Sequence, residues 1–189
     1  SVSFGDNPGK SFRYASGNSQ LLGYILESAT QMKPTQFIEK YVWKKIGTKH
    51  PLSWSLDSKE GMEKSFCCIY ATTRDYARFG QLLLNVGSWE GETIIDSLTL
   101  NQLNTPLHSS TPQYGLHFWR LQDPDHPAMY ARGILGQYII AIPSLDIVVV
   151  RTGHQRKYKF SEEKNNYKSL HPKDLFTYIS IAKRISKLD

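Results

Sequence analysis

The sequence predicts an α+β fold in which helices flank an antiparallel sheet. Through residues 1–112, apolar residues recur mainly at the three- and four-residue spacing of helices. Residues 113–189 instead carry short runs rich in β-branched residues, followed by one closing amphipathic stretch. Helices, then a strand meander, then a helix are typical of the α+β class. A length of 189 residues fits one domain, so we expect a single domain with a mainly helical first part.

Four helices are predicted in the first part, and their ends follow from local residue types. Thr72 and Asp75 can cap the third helix, while Asn85 and Gly87 end it. Proline is favoured in a first helical turn, as at Pro34, because its missing N–H would have no intrahelical partner there. The predicted helices span residues 16–29, residues 33–47, residues 72–84 and residues 96–104.

The second part is predicted to contain four strands and a closing helix. The segment Pro143-Ser144-Leu145 separates the last two apolar runs, which predicts consecutive antiparallel strands joined by a tight turn. The strands are predicted at residues 114–121, 128–133, 137–142 and 146–152, and the helix at residues 172–188. Five apolar side chains of this helix are expected to face inward: Leu175, Phe176, Ile179, Ala182 and Ile185.

The net charge of +6 is concentrated at the C-terminal end of the chain. From His154 to Asp189 there are nine Lys or Arg residues and four Asp or Glu residues. Such a segment can contact nucleic acid or acidic lipid, but its cations do not alternate with exposed aromatics as in single-strand binders. We interpret it as a solvated loop and helix face and expect no nucleic-acid partner. No apolar run approaches the roughly 20 residues of a membrane span, so none is expected.

Composition and spacing also argue against metal, disulfide and cofactor chemistry. The six histidines show no ligand spacing such as His-Glu-x-x-His, so we predict no metal site. The cysteines, Cys67 and Cys68, are neighbours, and neighbouring cysteines rarely form a relaxed disulfide. We therefore exclude a disulfide scaffold. The sequence contains neither a Gly-rich phosphate loop nor a dinucleotide-binding fingerprint, and we predict no cofactor.

Residues 8–23 carry a more specific pattern than the rest of the chain. Pro8-Gly9 is followed by an aromatic residue, by Tyr14-Ala15-Ser16, and by a Leu-rich helix that contains Gly23. This pattern resembles the second motif region of the serine hydrolases related to class C β-lactamases. That superfamily includes penicillin-binding proteins, esterases, D-aminopeptidases and 6-aminohexanoate-dimer hydrolases.

Three further segments extend the resemblance over essentially the whole chain. Residues 37–47 resemble the next helix of the family, and residues 68–87 resemble its Thr-x-x-Asp-x-Ala-x-Phe-Gly helix. Residues 130–138 resemble its third motif region. The likeness is greatest to the 6-aminohexanoate-dimer hydrolase-like branch. It implies a β-lactamase/transpeptidase-like fold and identifies residues 1–189 as the C-terminal portion of one catalytic domain.

The resemblance assigns a catalytic role to Tyr14 and Ser16. A tyrosine phenol, with an ordinary pKa near ~10, is a poor base at neutral pH. A neighbouring ammonium favours the phenolate, or allows Tyr14 to relay a proton between nucleophile and leaving group. Ser16, at the start of the helix, is expected to bind substrate or a catalytic lysine. The alternative is structural: a buried tyrosine followed by a serine that caps a helix.

The third motif region departs from the best-known form of the family. Where β-lactamases have Lys-Thr-Gly, this chain has Ala131-Arg132-Gly133, so we expect an ester or amide substrate other than a β-lactam. The resemblance implies that Arg132, Gly133 and Ile134 form the substrate-binding and oxyanion edge. Gly133 lets a substrate lie against the strand, and the Ile134 N–H can serve the oxyanion hole.

The family's nucleophile is the serine of a Ser-x-x-Lys motif that precedes the tyrosine motif, and no such motif precedes Tyr14. Two formal matches occur later, Ser161-Glu162-Glu163-Lys164 and Ser180-Ile181-Ala182-Lys183, and we interpret both as structural. Arg151-Thr152-Gly153 mimics Lys-Thr-Gly at the end of the last strand and is also interpreted as structural. We therefore expect a fragment that lacks the nucleophile helix. Its sheet should leave an edge or apolar patch open, or cover it with a dimer contact.

Three functional hypotheses follow from these observations. The first is a serine hydrolase that cleaves an amide or ester through an acyl-enzyme. The second is a non-catalytic relative that binds a peptide or a cell-wall fragment. The third is a basic nucleic-acid-associated domain. Family members are commonly exported, which is the one indication of localisation.

Overall fold

The computed structural model of the protein describes residue 7, residues 9–155, residue 168 and residues 170–188. Its centre is a four-stranded antiparallel sheet, whose strands are neighbours in the order β5 (Trp119–Leu121), β6 (Ala128–Arg132), β7 (Tyr138–Ile142) and β8 (Ile147–Arg151). Tyr138 pairs with Arg151 and Ile142 with Ile147, so β7 and β8 are antiparallel neighbours, as the sequence predicts. The turn between them is a short 3-10 segment, Pro143–Leu145.

The closing helix α5 (Lys173–Ile185) packs on one face of this sheet, which confirms the predicted arrangement. Its residues Leu175, Ile179 and Ala182 are buried in one core with Tyr130, Ile140 and Ile142 of the strands. Phe176 packs against that core and is partly buried. The prediction that Ile185 points inward is wrong. Ile185 is the last residue of the helix, beyond the buried cluster, and its side chain is half exposed.

Helix α3 (Thr73–Leu84) covers the other face of the sheet together with α4 (Ser97–Leu103). Both begin within one residue of the predicted start, and each follows a side-chain cap. The Thr72 hydroxyl accepts a hydrogen bond from the Asp75 N–H, and the Asp96 carboxylate accepts one from the Thr99 N–H. Leu83 and Leu84 pack with Leu100 and Ala141 in the core on this side.

The predicted strand at residues 114–121 is much shorter than expected. Only β5, Trp119–Leu121, is a strand, although Tyr114 makes an isolated bridge to Trp119. Between them the chain turns back on itself: the Gly115 N–H donates to the Phe118 carbonyl, and His117 has a φ of 64°. A residue in the left-handed region interrupts the extended backbone that a strand needs.

The helical first part also contains two small hairpins and an irregular helix. Helix α2 (Pro34–Ile38) continues as one π-helical turn, Glu39–Trp43, so the predicted helix at residues 33–47 is only partly regular. Trp43, Ile46, Leu52 and Leu82 form a second core below it. The hairpins pair β1 (Ser53–Trp54) with β2 (Ile69–Tyr70), and β3 (Ser88–Trp89) with β4 (Glu92–Thr93).

Helix α1 (Ser16–Thr30) forms where predicted, but most of its apolar residues are not covered. Its one buried residue is Gly23, where a Cβ would lie 1.9 Å from the Ser65 Oγ atom, so the helix approaches that loop closely. The Gln20 side chain fastens the same loop through the Glu63 carbonyl and the Ser65 N–H. Four large apolar residues of the helix are about half exposed: Leu21, Leu22, Tyr24 and Ile25.

Cys67 and Cys68 form a disulfide with each other, which corrects the expectation from their adjacency. Cys68 has a φ of 72°, and the Trp54 indole N–H donates to the Cys67 carbonyl at 2.7 Å. The bond links two neighbouring residues of one loop and joins no distant segments, so it is not the staple of a disulfide scaffold. Among the described helices, none is both long and apolar enough to cross a membrane.

Candidate functional site

The start of α1 presents Tyr14 and Ser16 to solvent. Ala15 is the extended residue at the N-cap, and Ser16 is the first helical residue. The Tyr14 side chain is 61% exposed, so the alternative of a buried tyrosine does not describe it. In the described part of the chain, the Ser16 hydroxyl has no hydrogen-bond partner, and no side chain caps the helix. Both hydroxyls are therefore accessible to a bound molecule.

An aromatic cluster connects the start of α1 to the sheet. The Tyr14 ring centroid lies 5.6 Å from that of Tyr114 and 5.8 Å from that of Trp119. Tyr114 and Trp119 contact each other edge to face at 4.8 Å, and Phe12 adds a ring 5.3 Å from Tyr114. Trp119 begins β5 and is almost completely buried, so the cluster rests on the sheet.

Arg132, the last residue of β6, joins the same cluster. Its guanidinium carbon lies 3.5 Å from the centroid of the Trp119 ring, a close cation–π contact. Trp119 and Tyr130 are directly paired across β5 and β6, and Arg132 follows two residues later on the same face. Tyr14 and Arg132, two of the residues predicted from the sequence, are thus brought together on one indole ring.

The environment of Tyr114 keeps its phenol neutral. Burial raises the pKa of Tyr114 to about 12, the nearby Tyr14 adds to this effect, and Arg132 opposes it. Tyr114 was not identified from the sequence. Its only signal in the sequence is that it begins the predicted strand that also contains Trp119, and aromatic residues are common in strands. The contact between them depends on the turn at residues 115–118, which the sequence pattern did not reveal.

The turn Gly133–Gly136 follows Arg132 and leads into β7. The Gly133 N–H donates to the Gln137 carbonyl, the Gly136 N–H to the Gly133 carbonyl, and the Leu135 N–H to the Gln137 Oε1 atom. The Ile134 side chain is 87% exposed, and within the described ranges its N–H has no acceptor. The turn therefore offers one unused backbone donor, at the position predicted for the oxyanion hole.

Gly133 leaves room for the Gln137 side chain, because a Cβ at residue 133 would lie 2.2 Å from the Gln137 Oε1 atom. Any larger residue would displace the side-chain amide that holds the Leu135 N–H. No hydrogen bond or ring contact among the described residues joins Ser16 or Ile134 to the aromatic cluster. The structure thus connects Tyr14 with Arg132. Ser16 lies two residues after Tyr14, and Ile134 lies two residues after Arg132.

A buried polar layer lies behind Arg132, between the sheet and α5. The Tyr130 hydroxyl and the His171 Nδ1 atom share a hydrogen bond of 2.7 Å, and the Tyr138 hydroxyl donates to Asp174 at 2.8 Å. Burial lowers the pKa of His171 to about 4, and the charge of Arg132 contributes to this. The sequence pattern did not identify these pairs, because they join residues about forty positions apart.

The later Ser-x-x-Lys matches do not assemble a nucleophile in the described residues. Ser180 lies on the exposed side of α5, and the Lys183 ammonium lies 3.7 Å from the Asp123 carboxylate. The match at residues 161–164 falls outside the described residues. Within the described part of the chain, no group of three or more His, Cys, Asp or Glu residues could hold a metal ion.

Comparison with known proteins gives a family and a curated relative. The family model described as Beta-lactamase matches residues 2–171. A 6-aminohexanoate-dimer hydrolase from Paenarthrobacter ureafaciens is 26% identical over 91 residues, which make up 48% of this chain and 23% of that relative.

Two solved structures share the fold. A Bacillus anthracis protein that carries the name of a 6-aminohexanoate-dimer hydrolase is 23% identical, with a TM-score of 0.79. The match covers 98% of this chain and 47% of that one. A Bacteroides dorei DSM 17855 protein that carries the name of a beta-lactamase is 16% identical, with a TM-score of 0.70 over 96% of this chain and 61% of that one. The predicted β-lactamase-like fold is thereby confirmed. The chain spans about half the length of these proteins.

Proposed function

Because the chain belongs to the Beta-lactamase family, we propose that it is the C-terminal portion of a serine hydrolase that cleaves an amide or ester through an acyl-enzyme. In this proposal the serine and lysine of the nucleophile motif precede residue 1 of the chain. Tyr14, Ser16, Arg132, Gly133 and Ile134 provide the remaining groups of the site. The family and its named relatives support hydrolase chemistry, and the arrangement around Trp119 supports these residue roles.

The observation that carries the proposal is the shared contact of Tyr14 and Arg132 with Trp119. Tyr14 contacts one part of the indole at 5.8 Å between ring centroids, and the Arg132 guanidinium lies 3.5 Å from its centre. Acyl transfer needs a proton relay and oxyanion donors around one reacting carbonyl. Trp119 holds Tyr14 beside the end of β6, and the residues that follow β6 supply those donors.

In the proposed reaction the nucleophilic serine attacks the substrate carbonyl and the carbonyl oxygen becomes an oxyanion. The Ile134 N–H donates a hydrogen bond to that oxyanion, and Gly133 allows the substrate to approach the strand end. The serine proton passes through the Tyr14 hydroxyl to the leaving amine or alcohol. Water then hydrolyses the acyl-enzyme. Ser16 binds the substrate or the lysine ammonium, and Arg132 attracts an anionic or carbonyl group of the substrate.

A second candidate, a non-catalytic relative that binds a peptide or cell-wall fragment, is favoured by one observation. The aromatic cluster carries the Arg132 guanidinium 3.5 Å from the centroid of Trp119, beside the largely exposed Tyr14 ring. Exposed aromatic rings beside a cation would bind an extended chain without any nucleophile. A fluorophosphonate probe distinguishes the two candidates in a form of the protein that includes the residues before residue 1, because it labels only an activated serine: labelling supports the hydrolase, and its absence supports the non-catalytic relative.

Replacing Tyr14 by phenylalanine tests the proposal directly. The substitution removes only a hydroxyl from a largely exposed ring, so folding should be unchanged. In a form of the enzyme that includes the serine nucleophile, kcat for a chromogenic ester should fall roughly 10²–10⁴-fold, the usual loss of a general acid–base.

Tyr24→Phe is the matched control, because Tyr24 lies on α1, the helix that follows Tyr14, is about half exposed and lies outside the aromatic cluster. It should leave turnover unchanged. Equal turnover by Tyr14→Phe and the unsubstituted enzyme would remove Tyr14 from the mechanism.

A further inference from the structure

Arg151 reaches from the end of β8 to the turn Gly133–Gly136. Its guanidinium donates to the Leu135 carbonyl at 3.3 Å, to the Gly136 carbonyl, and to the Gln155 carbonyl at 2.8 Å. Arg151 is paired with Tyr138, which is paired in turn with Arg132. The three residues therefore form a row across β6, β7 and β8 at the end of the sheet where the turn lies.

The two residues after Arg151 complete the support of the turn. The Gln137 Nε2 group donates to the Gly153 carbonyl at 2.8 Å, while its Oε1 atom accepts from the Leu135 N–H at 3.2 Å. A Cβ on residue 153 would lie 2.8 Å from the Arg151 guanidinium carbon, so glycine gives the guanidinium room there. The Thr152 and Thr73 hydroxyls lie 2.8 Å apart and join this segment to the start of α3.

These contacts determine the orientation of every peptide group that follows Ile134 in the turn. A peptide unit is planar, so fixing its carbonyl also fixes the N–H of the next residue. Arg151 holds the Leu135 and Gly136 carbonyls, Gln137 holds the Leu135 N–H, and the Gly136 N–H holds the Gly133 carbonyl. The Gly133 carbonyl shares its peptide plane with the Ile134 N–H. The orientation of the Ile134 N–H is therefore set by the hydrogen bonds of its own peptide group and of the peptide group that follows.

We propose that Arg151, acting with Gln137, is a positioning residue that holds the turn so that the Ile134 N–H points at the substrate oxyanion. The inference rests on the proposed hydrolase function and assigns a role to Arg151-Thr152-Gly153, a motif otherwise taken as structural. Arg151 does not touch the reacting atoms. It acts through the Leu135 and Gly136 carbonyls that its Nη1 group binds, while its Nη2 group binds the Gln155 carbonyl, and a lysine ammonium matches this spread of three acceptors poorly.

Arg151→Met and Arg151→Lys test this role in a form of the enzyme that carries the nucleophile. A misplaced oxyanion donor weakens transition-state binding, so kcat should fall between about 10- and 100-fold while KM changes little. Millimolar guanidinium should restore part of kcat in Arg151→Met. In hydrogen exchange, the Gly136 amide should exchange faster in both variants. Arg184→Met, at an exposed position on α5, is the matched control and should change none of these values.

The outcomes separate this inference from the proposed function. An unsubstituted enzyme that cleaves no ester or amide contradicts the function and, with it, this role of Arg151. An active enzyme whose kcat is unchanged in Arg151→Met overturns the inference alone. A folded variant with a lower kcat that guanidinium does not restore, and with unchanged Gly136 exchange, also overturns it, because the loss would then not arise from the turn. Thermal unfolding of each variant verifies that the sheet is intact.

Discussion

Two buried ionisable side chains show how single residues set the response of this protein to pH. His171 is almost completely buried against Tyr130, and its low pKa means that it is neutral in the folded protein at pH 7. For Asp75, burial alone would raise the pKa, but hydrogen bonds from the Lys49 N–H, Thr72 and His50 outweigh it and leave the pKa below its usual value. The two groups therefore change the stability of the folded protein in different pH ranges.

Stability should fall as the pH is lowered from about 6.5 to about 4, because the unfolded chain binds a proton at His171 that the folded protein does not. The loss should be on the order of 3 kcal/mol, at 1.36 kcal/mol for each unit between those two pKa values. The contribution of Asp75 is lost only at lower pH, as the pH falls through its folded pKa below 3.8.

Urea unfolding at several pH values measures this slope, which should be smaller in His171→Gln. His126→Gln is a suitable control, because His126 lies at the surface beside Ser144. A His171 ring that titrates near 6.5 by NMR would contradict the prediction.

At the same scale, the sequence identified part of the candidate site. Tyr14 and Arg132 were named because they fall on motif positions, and the structure brings them to one ring. Tyr114 and Trp119 were not named, since no motif marks them and their contact depends on a turn within a run that resembles a strand. Motif positions are local in sequence, whereas a cluster of this kind is created by the fold.

Helices and strands lie where the sequence predicts them when a local signal determines their ends. The cap at Thr72 and the turn at Pro143–Leu145 lie where predicted, and α4 begins one residue after the predicted start. Where the structure differs from the prediction, the cause lies in contacts between residues that are distant in the sequence. The turn around His117 depends in part on the Leu116 N–H, which donates to the Leu103 carbonyl of α4. Hydrophobic spacing located α1 but could not show that its apolar residues remain uncovered, because spacing identifies a face and not its partner.

The packing of α3 on the sheet predicts the effect of one glycine substitution. A Cβ on Gly80 would lie 2.4 Å from a methyl of Val148 and 3.0 Å from a methyl of Ile139. Both neighbours are β-branched and have little freedom to change rotamer. Gly80→Ala should therefore destabilise the fold by about 1–3 kcal/mol, as overpacking does, despite the better helix propensity of alanine.

Gly17→Ala is the matched control, because Gly17 is also helical and a Cβ there would contact nothing within 4 Å. It should leave stability unchanged or raise it by up to about 1 kcal/mol. Thermal unfolding of the three proteins gives the comparison. A Gly80→Ala protein as stable as the Gly17→Ala protein would show that α3 is not in close contact with β7 and β8.

Over the whole molecule, burial is uneven. The sheet is covered by α5 on one face and by α3 and α4 on the other, with a buried core on each side. Helix α1, in contrast, contacts the loop around Ser65 through Gly23 and the Gln20 side chain, while most of its apolar residues stay exposed. Contiguous exposed apolar surface of this kind is unusual on a monomer and marks an interaction surface. The sequence predicts an open edge or apolar patch on the sheet, where a missing part of the domain or a second copy would lie; the exposed face of α1 is a different surface, and that prediction stays a prediction.

The chain should therefore associate through α1 as its concentration rises. Leu21 and Ile25 are each more than half exposed and lie one helical turn apart, so together they form the centre of the apolar face. Association removes this surface from water, which is favourable at about 25 cal/mol per Å² of apolar area. The double substitution Leu21→Gln with Ile25→Gln keeps helix propensity and adds no charge. Sedimentation velocity over a concentration series should show self-association of the unsubstituted chain and a monomer for this variant.

Leu98→Gln with Leu107→Gln controls for a general loss of surface hydrophobicity. These leucines are 70% and 67% exposed, more than Leu21 or Ile25, but they lie on and just after α4, away from the α1 face. If association depends on α1, this control should associate like the unsubstituted chain. Equal weakening by both double substitutions would mean that exposed leucines anywhere promote association, and a chain that stays monomeric at every concentration would show that the α1 face alone does not hold two copies together.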